Sequence, residues 1–352
     1  MSAVALGTWT TEEQETKSQK QEEIMHQRLK GITGAAVLAL AVAAFATPGT
    51  GRAEDKYPNG SNITFVCAFP AGSGADVLVR YFAEKVGPVS GQTIIVENKV
   101  GAAGNIAAQY TAKSKPDGYT IFVHAGSAAA ATMHLYKKPP VDVIKALRVA
   151  ATINKQPFML TVRKDAPYKN VAELIDYLKK KGDKASYATT ATSGKVMGAA
   201  FKVATGVKAV EVPYRTGPDT LNDMMSGALD YAMHDPVFAL SQMRAGNFRI
   251  LAVSAGHRLK ASPDLPTMTE EGVKMDQTGW WAAMVPAGTP DSVVNTINGW
   301  FNKVLSTPDT EQFLAKFGGD VFISTPEEGQ KLFIATADEW AGYVKMAKIP
   351  QN

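Results

Sequence analysis

The stretch Phe65–Asp76, with the sequence FVCAFPAGSGAD, decides the fold, because an apolar β-rich run ends in small residues and a helix begins at once. Ser73 and Asp76 have the spacing of a capping box, which is typical of a helix N-terminus. Gly72 and Gly74 let the backbone approach a ligand closely. We therefore predict a strand, a ligand-facing loop and a helix, in that order.

The same alternation of short β-rich runs and amphipathic helical stretches continues along the chain, which is typical of an α/β fold with largely parallel sheets. Strands are predicted at 63–69, 93–97, 120–124, 158–162, 186–189, 210–212, 229–233, 250–253 and 280–285. Helices are predicted at 76–86, 105–114 and 171–181, from 195, from 218, and at 291–305, 311–316 and 326–345.

The halves of this pattern are not separated by a Gly/Ser-rich linker, so we expect two lobes joined by crossing strands, with a ligand cleft between them. Residues 54–157 and 255–352 are assigned to lobe 1, and residues 158–254 to lobe 2.

Composition excludes several classes of protein. The 352 residues include 37 Lys plus Arg, 33 Asp plus Glu and 45% hydrophobic residues, as in an ordinary globular protein. A net charge of +4 with no basic run argues against a nucleic-acid partner. Cys67 is the single cysteine, which excludes an internal disulfide and a cysteine-based metal cluster. We expect a monomer without a cofactor or a metal.

The N-terminal segment has the pattern of an export signal. Residues 25–53 have a basic start, an apolar run over 31–46 and small residues before Glu54, which predicts a cleaved signal peptide. A buried helix or a membrane anchor is the alternative for this run. The polar, Glu-rich residues 1–24 are interpreted as an upstream extension from a start codon placed too early.

Several junctions share the small-residue pattern that follows the first strand. They are 70–76, 98–104, 125–127, 190–194, 214–218 and 235–236. A helix N-terminus presents unpaired N–H groups and partial positive charge, and in parallel α/β sheets such junctions lie at the carboxyl ends of the strands. Each junction alone is better explained as an ordinary helix cap. Together, over both lobes, they predict a site for a small anion.

Catalytic signatures are absent from the sequence. It contains no P-loop, no Gly-x-Ser-x-Gly elbow and no His-Glu-x-x-His motif. His134 and His257 are interpreted as ordinary residues, whereas His124 and His234 lie beside candidate loops and could contact a ligand. Cys67 lies within an apolar strand and is expected in the core.

Seven segments occur in a specific order: 69–76 with Arg80, 96–104, 116–120, 212–218, 251–254, 265–272 and 286–290. In this order they resemble the tripartite tricarboxylate transporter solute-binding proteins, also called the Bug or TctC family, over nearly all of the chain after residue 54. The sequence Gly72-Ser73-Gly74 replaces the Gly-Gly common in relatives, and Arg215 replaces a common Lys.

This resemblance implies a periplasmic, two-lobed binding protein of the type II-like α/β class, with two sheets flanked by helices. It also implies closure on a small carboxylate and delivery to large and small integral membrane subunits of a transporter. Loops matching 70–76 and 190–194 would bind the carboxylate. From the residues themselves, Asp76 is expected to orient its loop, since its charge repels an anion, and Tyr214, Thr216, Gly217 and Asp235 are expected to shape the far end. The ligand-binding residues predicted in this way are Phe69, Ala71, Gly72, Ser73, Gly74, Asp76, Ser127, Thr192, Ser193, Gly194, Tyr214, Thr216, Gly217 and Asp235.

Two other functions remain open from the sequence. A periplasmic enzyme acting on an organic acid would need a general base such as His124, His234 or Asp235 in the cleft. A ligand sensor would use the same lobes to signal to a membrane partner. The ligand could be a mono-, di- or tricarboxylate or an amino acid, and the few candidate cations favour a small one.

Overall fold

The computed structural model describes residues 15–16, 19–23, 25, 57–214, 216–260 and 262–351. The chain divides into two compact units, Met1–Tyr57 and Pro58–Asn352. In the first unit, the described residues 15–16, 19–23 and 25 are helical and exposed, and Tyr57 is partly buried. The predicted extension and signal peptide otherwise lie outside the described residues.

Two β-sheets organise the second unit. The first sheet has the strand order β11-β4-β10-β3-β1-β2. Its strands, in chain order, are β1 (Ile63–Cys67), β2 (Ile94–Asn98), β3 (Thr120–Ala125), β4 (Leu147–Pro157), β10 (Thr278–Pro286) and β11 (Asp320–Val321). The second sheet has the order β7-β6-β8-β5-β9. Its strands are β5 (Met159–Arg163), β6 (Ser186–Thr190), β7 (Val210–Tyr214), β8 (Tyr231–His234) and β9 (Phe248–Val253).

Helices connect these strands and cover the sheets. They are α1 (Gly74–Ser90), α2 (Asn105–Lys113), α3 (Gly126–Leu135), α4 (Val143–Ala146), α5 (Val171–Lys181), α6 (Ala191–Thr205), α7 (Leu221–Ser226), α8 (Pro236–Arg244), α9 (Asp291–Leu305), α10 (Pro308–Lys316) and α11 (Pro326–Met346). In the described residues, 3₁₀ turns lie at Ala102–Gly104, Gly182–Lys184 and Pro218–Thr220.

Local sequence explains the helix faces and ends. In α5, the buried Val171, Leu174 and Leu178 recur at helical spacing, and the polar residues between them face solvent. The start of α11 is fixed by a capping box, in which Thr325 and Glu328 satisfy each other's backbone N–H groups.

The expectation of largely parallel sheets is wrong, because both sheets are mixed. Strand β10 is antiparallel to β3 and β4, and β5 is antiparallel to β8 and β9. These are the strands by which the chain enters each sheet from the other. A chain that leaves β4 at the carboxyl edge of the first sheet enters the second sheet at the facing edge, so β5 runs opposite to its neighbours.

Separate hydrophobic clusters stabilise the two sheets. Phe122, Trp280 and Phe333 belong to a cluster on the first sheet, and Tyr187, Phe201 and Tyr231 belong to a cluster on the second. Helix α11 contributes to both, through Phe333 and Trp340 respectively. The α/β class with two sheets flanked by helices is therefore confirmed, and one helix spans the two lobes.

Candidate functional site

The loop after β1 is held in place from within. The Ser73 side chain caps α1 by accepting a hydrogen bond from the Asp76 N–H at 3.2 Å. The Gly72 N–H donates to Asp76 Oδ2 at 2.8 Å, and Gly72 adopts a φ of +80° that favours glycine. Ser73 and Asp76 thus fix the conformation of the loop, in which Ala71 and Gly72 are exposed.

Asp76 is the centre of this network. Its Oδ2 accepts from Arg80 Nε at 2.8 Å and its Oδ1 accepts from Asn98 Nδ2 at 2.7 Å. Burial raises the pKa of Asp76, but the hydrogen bonds from Arg80, Asn98 and Gly72 outweigh it, so the pKa lies below its ordinary value. The carboxylate is buried, with a relative exposure of 1%. Asp76 thus orients the loop.

The turn after β7 in the second sheet is also internally bonded. The Tyr214 hydroxyl donates to the Asp223 carboxylate. Burial, and to a lesser extent this hydrogen bond, raises the pKa of Tyr214 to about 12. The N–H and the hydroxyl of Thr216 both donate to Asp219 Oδ2 at 2.8 Å. A Cβ on Gly217 would lie 2.9 Å from the Phe238 ring, so only glycine fits there.

Helix α8 brings the second sheet next to the first loop. Its N-cap residue Asp235 accepts from the Phe238 N–H at 3.1 Å, and burial raises the pKa of Asp235. A Cβ on Gly74 would lie 3.1 Å from Val237 Cγ1. The loop after β1 and the N-terminal turn of α8 therefore face each other closely across the two lobes.

A cavity of about 220 Å³ lies between the two lobes. Ser127, in the first turn of α3, and Ser193, in the first turn of α6, both line it. In the described part of the chain, neither N-cap residue, Ala125 or Thr190, caps its helix through its side chain. Two helix N-termini from different sheets thus meet at one space, where their N–H groups favour an anion.

The other walls come from the crossing segments and from α11. Strand β4 and the residue after it contribute Lys155 and Phe158, and β10 with the segment before it contributes Asp276, Gln277, Thr278, Gly279 and Trp280. Helix α11 presents one face, with Leu332, Thr336, Glu339, Trp340 and Tyr343. Met197 of α6 completes the lining.

Of the predicted ligand-binding residues, the cavity brings together Ser127 and Ser193. The others that the structure describes are not among its lining residues; they are Phe69, Ala71, Gly72, Ser73, Gly74, Asp76, Gly194, Tyr214, Thr216, Gly217 and Asp235. The side chain of Thr192 and the whole of Arg215 lie outside the described residues. Sequence reasoning missed Lys155, Gln277 and the α11 face. Only the α11 face has a local signal, which is the mixed polar and apolar spacing in 332–343.

Two buried histidines have different surroundings. His234 is bonded at both ring nitrogens, with Thr161 Oγ1 at 2.7 Å from Nδ1 and Thr220 Oγ1 at 3.1 Å from Nε2. Neither nitrogen of His124 has a hydrogen-bond partner among the described residues, and its ring lies 5.2 Å from that of Phe69. Burial lowers the pKa of each histidine to about 3, so both rings are neutral at pH 7.

The family described as the tripartite tricarboxylate transporter family receptor, TctC, matches residues 78–348. The chain belongs to this family. The Bordetella pertussis protein BugT is 27% identical over 90% of this chain and 97% of its own length. A UPF0065 protein of the same organism is 32% identical over 75% of this chain and 82% of its own.

Solved structures extend the likeness to the fold. An R. palustris protein solved with adipate has 28% identity and a TM-score of 0.75, covering 83% of this chain and 98% of that one. MatC from Rhodopseudomonas palustris, solved with bound malate, has 25% identity and a TM-score of 0.69, covering 80% and 98% of the two chains. The chain is thus a TctC receptor with a two-lobed α/β fold.

Proposed function

We propose that this receptor binds a small carboxylate in the cavity between its lobes and delivers it to a membrane transporter with one large and one small integral subunit. Membership of the TctC family supports this function. So do the adipate and malate bound by two of its structural relatives. The lobes would comprise residues 54–157 with 255–352, and 158–254, in a monomer that needs no cofactor.

The convergence of two helix N-termini on one cavity is the observation that carries the proposal. Ser127 and Ser193 line the cavity from the first turns of α3 and α6, where backbone N–H groups lack intrahelical partners. Lys155 also lines the cavity, and its Nζ lies 4.3 Å from the centroid of the Phe322 ring. Such a donor set suits an anion, because helix N-termini and hydroxyls donate hydrogen bonds although they carry no formal charge.

Ligand binding would couple to closure of the lobes. The first crossing passes from β4 through Phe158 directly into β5, and the second passes from β9 through 254–277 into β10. Motion of two lobes about two crossing segments is a hinge motion, and a ligand drives it only by contacting both lobes. Ser127 and Ser193 would provide those contacts, one from each lobe.

We place the protein in the periplasm, exported by the signal peptide predicted at 25–53. None of the helices in the described ranges is both long and apolar enough to cross a membrane. Delivery to the membrane would then occur by docking of the closed receptor on the transporter.

A thermal-shift screen of the purified protein against adipate, malate and other small carboxylates tests this function. A ligand that binds the folded state alone raises the melting temperature with its occupancy. We expect at least one carboxylate to do so and to be recovered unchanged. Conversion of the ligand would instead favour an enzyme. If Ser127→Ala and Ser193→Ala both left affinity unchanged, these two serines would not be the ligand contacts.

A further inference from the structure

The cavity between the lobes has two chemically different ends. At the first end, Trp280 pairs with Lys155 across β10 and β4. A Cβ on Gly279 would lie 3.3 Å from the Ser127 hydroxyl, which places the first turn of α3 beside them. This end therefore combines the first turn of a helix with a hydroxyl, beside the backbone of Lys155, and it suits a carboxylate.

The second end presents hydrogen-bond acceptors. Asp276 and Glu339 line the cavity and are exposed at its rim. Tyr343 and Gln277 line the same cavity as these two carboxylates. Burial and then the charges of Glu339 and Asp276 raise the pKa of Tyr343, while a hydrogen bond with Gln277 lowers it. The Oε1 atom of Gln277 is buried without a hydrogen-bond partner among the described residues. An unsatisfied buried acceptor calls for a donor from a ligand or a water.

Helix α11 separates the two ends. Thr336 accepts a hydrogen bond from Trp280 Nε1 at 3.1 Å and so lies at the first end. Tyr343 lies two turns further along, a distance of about 10 Å at 1.5 Å per residue. Between them, Trp340 presents an aromatic ring to the cavity, and Phe158 lines it from the crossing segment. Aromatic faces attract cations as well as apolar groups.

From these two ends we infer that the ligand is a zwitterion, a carboxylate that carries a protonated amine several carbons away. This inference rests on the proposed function, which it narrows to one class of carboxylate. The carboxylate would lie at the α3 end, and the ammonium would lie among Gln277, Asp276 and Glu339. An ammonium has three donors and no acceptor, which matches this end. A second carboxylate there would face two like charges and an unpaired acceptor oxygen.

Calorimetric titration with three six-carbon probes tests this inference. The probes are 6-aminohexanoate, adipate and hexanoate, which share one carboxylate and differ at the other end of the chain. We expect 6-aminohexanoate to bind about tenfold more tightly than either of the others, a difference of about 1.4 kcal/mol. Adipate binding as tightly as 6-aminohexanoate, or more tightly, would overturn the inference and leave the carboxylate receptor intact.

Substitutions at the acidic end separate the inference from the function. Glu339→Gln and Asp276→Asn should each weaken 6-aminohexanoate about fivefold, as expected of partly exposed ion pairs, and should not weaken hexanoate, which has no ammonium. Asp338→Asn is the matched control, since Asp338 is exposed on the same helix and does not line the cavity. Equal effects of all three variants would refute the inference. If no probe binds while other carboxylates raise the melting temperature, the inference alone fails; if no carboxylate does, both fail.

Discussion

Asp76 stabilises the loop after β1 because its charged carboxylate accepts several hydrogen bonds. Its carboxylate accepts hydrogen bonds from Gly72, Arg80 and Asn98. Asp76→Asn should lower the free energy of unfolding by about 2 kcal/mol at pH 7, a value kept small because Arg80 is half exposed. Urea denaturation measures the change, with Asp338→Asn as a control for loss of an exposed carboxylate.

The same residue predicts a pH dependence. The pKa of Asp76 is lowered on folding, so its stabilisation is complete above the ordinary value of 3.8 and is lost as the pH falls through the lower folded value. Asp76→Asn should therefore flatten the stability profile below about pH 4. An unchanged profile in that range would contradict the assigned role.

The buried histidines predict a loss of stability in the same direction, toward acid, but in a higher pH range. His124 and His234 have pKa values of about 3 in the folded state against 6.5 in the unfolded state. Below pH 6.5 the unfolded chain binds protons that the folded chain excludes, so stability falls as the pH falls. Between pH 7 and pH 5 we expect the free energy of unfolding to fall by about 2 kcal/mol for each ring.

His124→Leu tests this effect. The substitution keeps a side chain of similar size among the rings of Phe69, Phe122 and Trp281. Denaturation experiments should show that the free energy of unfolding falls by about 2 kcal/mol less between pH 7 and pH 5 in the variant than in the unaltered protein. If the variant retains the full pH dependence, His124 does not remain neutral in the folded protein.

At the scale of elements, the first turn of α3 depends on a glycine. A Cβ on Gly126 would lie 2.2 Å from ring atoms of Trp280, whose Nε1 is bonded to Thr336. Gly126→Ala should displace Trp280, lower the free energy of unfolding by about 2 kcal/mol and weaken ligand binding, because this ring lines the cavity.

A second glycine supplies the control for this prediction. Gly299 lies on the exposed face of α9, and a Cβ there would meet nothing within 4 Å. Gly299→Ala should raise stability by up to about 1 kcal/mol, since alanine has the higher helix propensity. Equal effects of the two substitutions in denaturation experiments would contradict the role given to Gly126.

Element boundaries were largely predictable because the helices are amphipathic. The predicted helices at 171–181 and 291–305 match α5 and α9 residue for residue. Strand β4 was missed, since LRVAATINKQP is buried on both faces and also contains Lys, Asn and Gln. The reversed β5 and β10 could not be predicted locally, because strand direction depends on the path of the chain between the sheets.

The candidate site was predictable only where it lies at a strand-to-helix junction. Ser127 and Ser193 were identified from small residues at such junctions, and both line the cavity. Lys155, Gln277 and Tyr343 come from two crossing segments and the last helix, which fold together only in the tertiary structure. No local motif marks that convergence.

At the scale of the whole molecule, binding should change its compactness. Ser127 and Ser193 reach the cavity from opposite lobes, so a ligand held by both favours the closed form. Small-angle scattering should show a smaller radius of gyration when a carboxylate binds. A Ser127→Ala/Ser193→Ala variant at the same ligand concentration should show a smaller change. A radius unaffected by saturating ligand would contradict hinge closure.

The most direct test of carboxylate binding between the two helix N-termini is a calorimetric titration of a carboxylate that raises the melting temperature, performed on the protein and on the Ser127→Ala/Ser193→Ala variant. We expect one site per chain in the unaltered protein. In the variant we expect an affinity at least about tenfold lower, since two hydrogen bonds to a charged ligand are lost. Equal affinities, with both proteins folded, would show that the carboxylate does not bind between these two helix N-termini.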